Sequence, residues 1–329
     1  MTEPIRLIEL GETAWWKTQA YYHAVARRMS RDAPDTVILC RPDRRYTCVG
    51  YHQQASEILD LKALKALQIP VLRRKLGGGT TYLDANQFFY QFIFHRSRLP
   101  VHFEQVFQTL LQPAVLTLRR LGLNATLRKV NEIEIDGRRI AGTGGGQIGE
   151  AGVVVGNFLL DFDFDTMVRI WNVPHEDFRA LAARALRHQL TTLNRYRVPA
   201  DDRFLAANLS RSIEEALQRP MENGGFTEEE HRLAEKYFLT LQQIDPPSAS
   251  RNGSRNRPMT SLKIAADDFI HYRQWETYGL SVWVKNGTIR ECRLRNEAGE
   301  RIMELENQLI NTDFETWEQK LKNTCGILS

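Results

Sequence analysis

The run Phe88 to His95, FFYQFIFH, constrains the fold more than any other stretch of the chain. It is too continuously apolar for a strand with one wet face, so it belongs at the centre of a sheet covered on both sides. Around it, β-type and helical segments alternate. Thr36 to Cys40 and Tyr46 to Gly50 read as strands parted by a turn, and Ile69 to Arg74 as another. Leu59, Leu61, Leu64 and Leu67 recur at helical spacing, and Phe103, Phe107, Leu110, Leu111 and Leu118 mark a helix that Pro113 is expected to kink. Ile244 to Met259 is rich in Pro, Ser, Asn, Gly and Arg, a composition that cannot pack a core and reads as an exposed linker. Beyond it, Tyr278 to Arg295 reads as a hairpin turning at Asn286-Gly287, and Thr312 to Asn323 as a capped amphipathic helix. The expected class is α+β: a β-sheet core flanked by helices over residues 1–243, a linker over 244–259, and a small α+β accessory domain over 260–329.

Composition removes several functions. With 329 residues, 42% hydrophobic and 26% charged, the chain can bury one sizeable core and a second, smaller one. No apolar stretch reaches the roughly 20 residues that span a bilayer, and Glu and Arg near the N-terminus stand where a signal peptide needs an apolar run. A cytoplasmic protein with no membrane role is expected. Cys40, Cys48, Cys292 and Cys325 form no CxxC pair, and the eight histidines show no HxxxH spacing, so no protein-built metal site is expected. The formal charge of +4 leans toward acidic partners, without the dense Lys/Arg blocks of a nucleic-acid binder.

Three stretches carry candidate chemistry. In RRKLGGG, Arg73 to Gly79, the glycines Gly77, Gly78 and Gly79 can offer bare backbone N–H groups to an anion, with Arg73, Arg74 and Lys75 as cations beside them. The bland alternative is a plain turn, and no GK[ST] follows to make a P-loop. In VNEIEIDGRRIAG, Val130 to Gly142, Asp136-Gly137 between alternating apolar residues signals a two-residue hairpin turn. Its register sets Ile135 opposite Arg138 and Glu134 opposite Arg139, so Arg139 is either half of a solvated cross-strand ion pair or a cation poised over a ligand. Gly142 to Gly156 contains seven glycines and is expected as a mobile, ligand-covering loop. Asp161, Asp163 and Asp165 follow at every second position, and read better as a polar strand end entering a helix cap than as metal ligands.

Together these stretches resemble the lipoate protein ligase family, within the biotin and lipoate ligase superfamily. The resemblance rests on Gly50 to Gln53, Arg73 to Gly79, Leu83 to Gln87, Asn131 to Ile133, Gly137 to Gly142 and Val155 to Leu159, in order and separation, over roughly residues 5 to 200. It implies the class II biotin/lipoate ligase-like fold and an enzyme that uses ATP and Mg²⁺ to activate lipoate or octanoate as an acyl-adenylate. The acyl group would then pass to a lysine of a small acidic lipoyl domain, with neither nucleic acid nor membrane as partner. Carried over by position, Arg139 takes the place of the family's lysine at the reacting carboxyl and phosphate. Arg73, Arg74, Gly77, Gly78, Gly79, Asn131, Glu132, Gly142, Gly156 and Asn157 fall on substrate- or adenylate-binding positions. The family's Ser/Thr, His and Asp positions hold Leu76, Leu83 and Glu132 instead. Two other activities fit the same layout: a noncatalytic ligase-like protein that binds a lipoyl carrier or partner subunit, and an octanoyl or lipoyl transferase. The transferase needs a nucleophilic cysteine near Val130 or Asn131, where the sequence has none.

Overall fold

The apolar run lies at the middle of a sheet: Gln87–His95 is a strand in which every residue is buried. The structure, a computed structural model, describes residues 3–199, 201–244, 260–275, 277–317 and 319–320. They divide into two units. The first takes in the chain up to Ala55, Lys65–Phe162 and the stretch from Leu190 to Ile244. The second takes in Ser56–Leu64, Asp163–Gln189 and the C-terminal strands, so it draws two stretches from inside residues 1–243. The expected linker, apart from Ile244, lies outside the described residues.

The first unit holds β1 (Ile5–Thr13), β2 (Thr36–Pro42), β3 (Tyr46–Val49), β4 (Val71–Arg73), β5 (Thr81–Leu83), β6 (Gln87–His95), β7 (Ala125–Arg128), β8 (Glu132–Ile135), β9 (Arg138–Arg139), β10 (Ala141–Ile148), β11 (Ala151–Leu159) and β12 (Met221–Asn223). Six of these form one sheet in the order β10-β11-β6-β2-β1-β12. Strand alternation sorts the side chains of β6 between two cores. Phe88, Tyr90, Phe92 and Phe94 meet the helices Phe103–Arg120 and Asp202–Leu217, while Phe89 and Ile93 meet Lys17–Arg28 and Glu228–Leu241. Helix Phe103–Arg120 continues through Pro113, and helix Glu228–Leu241 opens on a capping box between Thr227 and Glu230. Strands β2 and β3, adjacent in sequence, part company: β3 joins β4 and β5 in a separate three-stranded sheet. A third small sheet, β7-β8-β9, carries the Asp136-Gly137 turn in the expected register, Ile135 opposite Arg138 and Glu134 opposite Arg139. Asp136 and Gly137 both have positive φ, 51° and 72°, as a type I′ turn requires.

The glycine-rich segment corrects the expectation of a mobile loop. Residues 141–159 are the paired strands β10 and β11, with Ala141 opposite Phe158 and Ile148 opposite Ala151. The glycines make room for neighbours. A Cβ on Gly156 would lie 2.4 Å from the Tyr90 ring, which packs across the bare backbone of β11. Crowding of a core ring against a strand therefore accounts for a glycine that sequence alone suggests is there for freedom.

The second unit is a four-stranded antiparallel meander of β13 (Ser261–Ala265), β14 (Asp268–Gln274), β15 (Tyr278–Lys285) and β16 (Thr288–Asn296). Asn286 and Gly287, with φ of 51° and 74°, make the expected hairpin turn. Helix Glu176–Gln189 packs on this sheet, and Gln189 Nε2 donates to the buried Asp268 carboxylate. Asp163 caps the preceding helix, Phe164–Arg169, by accepting from Thr166 N at 2.9 Å, which is the capping role expected there. The helix expected over 312–323 is described only in part: Trp317, Gln319 and Lys320 are helical, residues 314–316 form a turn, and the remainder lies outside the described residues. A helix at Met303–Leu309 supplies Leu305 and Leu309 to the unit's core.

Candidate active site

The basic approach to the glycine loop is built from buried guanidinium groups. Arg73 donates to the carbonyls of Gly50 (2.9 Å), Tyr51 (2.8 Å) and Ile244 (2.9 Å). Arg74 donates to Gly77 O (2.9 Å), Gly79 O (2.7 Å) and Cys48 O (3.2 Å). Both side chains therefore brace the loop from within, and Arg74 also reaches the wall of a cavity beside it. Gly50 explains its own motif: a Cβ there would stand 2.0 Å from Gly78 O, so only glycine lets β3 touch the loop. Gln53 closes the contact, its Oε1 accepting from Gly50 N at 3.3 Å and from Thr80 Oγ1 at 2.9 Å.

A histidine from the first helix holds the other side of the loop. His23 Nδ1 lies 2.7 Å from the Gln19 carbonyl, and its Nε2 accepts from Lys75 N at 3.0 Å. Both bonds are made by a neutral imidazole with its proton on Nδ1. Burial pulls the His23 pKa down to about 3, and the charges of Lys75 and Arg74 push in the same direction.

The cavity, about 70 Å³, lies where β6, β10 and β11 meet the small β3–β5 sheet. Leu83, Phe89 and Val155 form its apolar wall, and Gln19, Gln91, Thr143 and Asn157 are polar residues on it. Asn157 is fixed on both sides: Gly142 N donates to its Oδ1 at 2.7 Å, and its Nδ2 donates to Gln87 Oε1. The hairpin β8–β9 sits beside the cavity through Thr143, whose hydroxyl donates to the Asn131 carbonyl.

On that hairpin Arg139 lies in the field of Glu132 and Glu134. Burial pulls its pKa below the usual arginine value, and the two carboxylates oppose the shift. Glu134 also pairs with Arg128 at 3.1 Å. Glu132 Oε2 is buried with no hydrogen-bond partner, which marks it as an oxygen available to a further cation.

Of the residues singled out from sequence, Arg74, Gly142, Gly156 and Asn157 share the cavity wall. Gly77 borders it, since its carbonyl lies 4.0 Å from where a Cβ on Gly144 would be. Asn131, Glu132 and Arg139 stand on the adjoining hairpin, and Arg73 lies behind the loop. Gln19, His23 and Gln91 were not anticipated. One sign was available for Gln91: a glutamine inside an otherwise apolar central strand requires a reason. Cys48 lines the cavity, but burial pushes its thiol pKa upward, the opposite of an activated nucleophile. Cys40 and Cys292 are also buried and shifted upward, and Cys325 lies outside the described residues.

Comparison with known proteins bears on the family and the fold. The chain is similar to the lipoate-protein ligase LplJ of Bacillus subtilis, 23% identical over 274 residues, or 81% of this chain and 78% of that protein. It is also similar to the lipoate-protein ligase A subunit 1 of Thermoplasma acidophilum (27% identical, covering 67% of this chain and 86% of that one). The octanoyltransferase LipM of Kyrpidia tusciae is 24% identical, covering 70% of this chain and 93% of that one. Among solved structures, the bi-partite lipoate protein ligase from Thermoplasma acidophilum superposes with a TM-score of 0.68 at 26% identity, over 74% of this chain and 96% of that one. The helix-flanked sheet is thus the class II biotin/lipoate ligase-like fold expected from the motifs. The model of the lipoyl protein ligase A/B catalytic domain matches residues 16–209, more than half of the length, and the chain belongs to that family.

Proposed function

We propose that the protein is an ATP-dependent ligase that activates lipoate or octanoate as the acyl-adenylate and transfers the acyl group to a lysine of an acidic lipoyl domain. The observation that carries this reading is the junction of three surfaces: an apolar-walled cavity, an arginine-braced glycine loop and a hairpin bearing Arg139. An acyl chain suits the first, phosphate oxygens suit the backbone N–H groups of the second, and negative charge developing during acyl transfer suits the third. Arg139, drawn between burial and its two glutamates, would stabilise the carboxyl and phosphate oxygens as they gain charge.

Mg²⁺ usually keeps several waters and takes only one or two protein carboxylates beside substrate phosphates. The unpartnered Glu132 Oε2 fits that habit, and among the described residues no cluster of three His, Cys, Asp or Glu could hold a metal alone. When bound with ATP, Mg²⁺ would neutralise triphosphate charge. Asn131 and Glu132 would hold it.

The transferase alternative draws on the likeness to LipM, and the site chemistry weighs against it. Thioester exchange needs an accessible, low-pKa thiol. The hairpin positions hold Val130 and Asn131, and Cys48 is buried with its pKa raised. The noncatalytic alternative has no separate structural feature in its favour.

The test is incubation of the purified protein with ATP, Mg²⁺ and lipoate, without acceptor. Lipoyl-adenylate detected by mass spectrometry, with matching pyrophosphate release, is the expected result. A folded sample that yields no adenylate from lipoate, octanoate or biotin would leave the noncatalytic role.

A further inference from the structure

Gln91 interrupts the apolar centre of β6, directly across from Ile38 in β2 and Val155 in β11. It is 2% exposed and lines the cavity next to Cys48 and Phe89. Its Nε2 donates to the Thr18 carbonyl at 2.6 Å, which fixes the amide orientation, because the flipped amide would set oxygen against oxygen. That leaves Gln91 Oε1 buried with no hydrogen-bond partner.

The neighbouring polar groups bond to one another rather than to Gln91 Oε1. Gln19 Nε2 donates to Tyr46 Oη at 2.8 Å. Gln19 Oε1 accepts from Tyr22 Oη at 3.2 Å and from the Cys48 thiol at 3.6 Å. The single Cys48 proton therefore goes to Gln19, and the second N–H of Gln19 makes no bond to Gln91 Oε1. A buried acceptor without a donor is a standing penalty, and it is relieved when a ligand supplies the missing donor.

We propose that Gln91 Oε1 selects for a hydrogen-bond donor on the acyl chain, so that the site prefers a medium-chain acid carrying an O–H or S–H group. The dithiol form of lipoate and a hydroxylated octanoate both qualify. The cyclic disulfide form and plain octanoate carry no chain donor, and burying either against Gln91 leaves the oxygen unpaired. The inference deepens the acid-activating reading and rests on it. Discrimination by one paired donor corresponds to roughly tenfold in affinity.

The experiment measures calorimetric binding of four acids to the full-length protein, under reductant for the dithiol: octanoate, hydroxylated octanoate, dihydrolipoate and lipoate. Adenylate formation is followed in parallel with ATP and Mg²⁺. The expected result is binding of one or both donor-bearing acids about tenfold tighter than octanoate, and the two arms tell hydroxyl from thiol. Gln91→Met is expected to erase that difference by bringing the donor-bearing acids to the octanoate level. Because this variant also loses the Thr18 contact, the four-acid comparison on the unaltered protein decides the matter even if the variant does not fold. Equal affinities for all four acids, with adenylate still formed, would overturn the inference and leave the ligase reading standing. No binding and no adenylate with any acid would overturn both.

Discussion

At the scale of single residues, two side chains set the behaviour of the site. His23 is neutral in the folded protein, with its pKa depressed from an ordinary value of about 6.5 to about 3 by burial and nearby cations. The unfolded chain therefore takes up a proton that the folded one resists. The stabilisation from the neutral ring is complete above about pH 6.5 and is lost as pH falls toward about 3. Urea titrations across that range should show the midpoint dropping more steeply for the native protein than for His23→Gln. Parallel curves would mean that His23 is not the group responsible. Under the proposed function Arg139 would serve the chemistry instead. Arg139→Ala should lower adenylate formation by about 10²- to 10³-fold, the usual loss when one preorganised donor to a developing oxyanion is removed. Arg139→Lys should retain or raise the rate, because the family position that Arg139 occupies is one of lysine. An unchanged rate in Arg139→Ala would remove this hairpin from the reaction.

At the scale of elements, the glycines fall into two kinds that look alike in sequence. Gly156 is packed against the Tyr90 ring, so Gly156→Ala must displace a core aromatic and should cost about 1–3 kcal/mol. A Cβ on Gly79 meets nothing within 4 Å, so Gly79→Ala should change stability by no more than about 0.5 kcal/mol. Denaturant unfolding of both variants checks the contrast, and similar losses for the two would show that backbone freedom matters more than close packing. The Asp136-Gly137 hairpin was legible to the residue because its turn chemistry is local: only certain residues adopt positive φ at both central positions. The strand character of the glycine-rich β10 was not. It comes from pairing with β11, which is itself paired with β6 across more than fifty residues of sequence, and this overrides the low strand propensity of glycine.

At the scale of the whole molecule, the +4 formal charge would draw in the acidic acceptor of the proposed reaction by long-range attraction rather than by contact. Acyl transfer to a lipoyl domain should therefore show a KM for the acceptor that rises with ionic strength, while adenylate formation from small substrates changes far less. A salt-independent KM would show that docking does not depend on this charge. The division into units follows contacts rather than chain order. Asp163–Gln189 joins the C-terminal strands because helix Glu176–Gln189 buries Phe178, Leu181 and Leu186 and packs on that sheet. Amphipathic spacing announces such a helix but does not name the sheet it will cover.

Sequence by itself determined the features that depend on neighbouring residues: the central apolar strand, the two Asn-Gly and Asp-Gly turns, the cap at Asp163 and the order of the family motifs. These follow from side-chain period and from the φ values a residue tolerates. Tertiary structure alone decided which groups meet. It turned Arg73 and Arg74 inward as braces of the glycine loop, brought His23 from the first helix to Lys75, and left Gln91 with one oxygen unpaired on the cavity wall. The physical reason is that hydrogen-bond satisfaction in a buried site is settled among residues far apart in the chain. Thr18 and Gln91 are 73 positions apart, and no local pattern records their meeting.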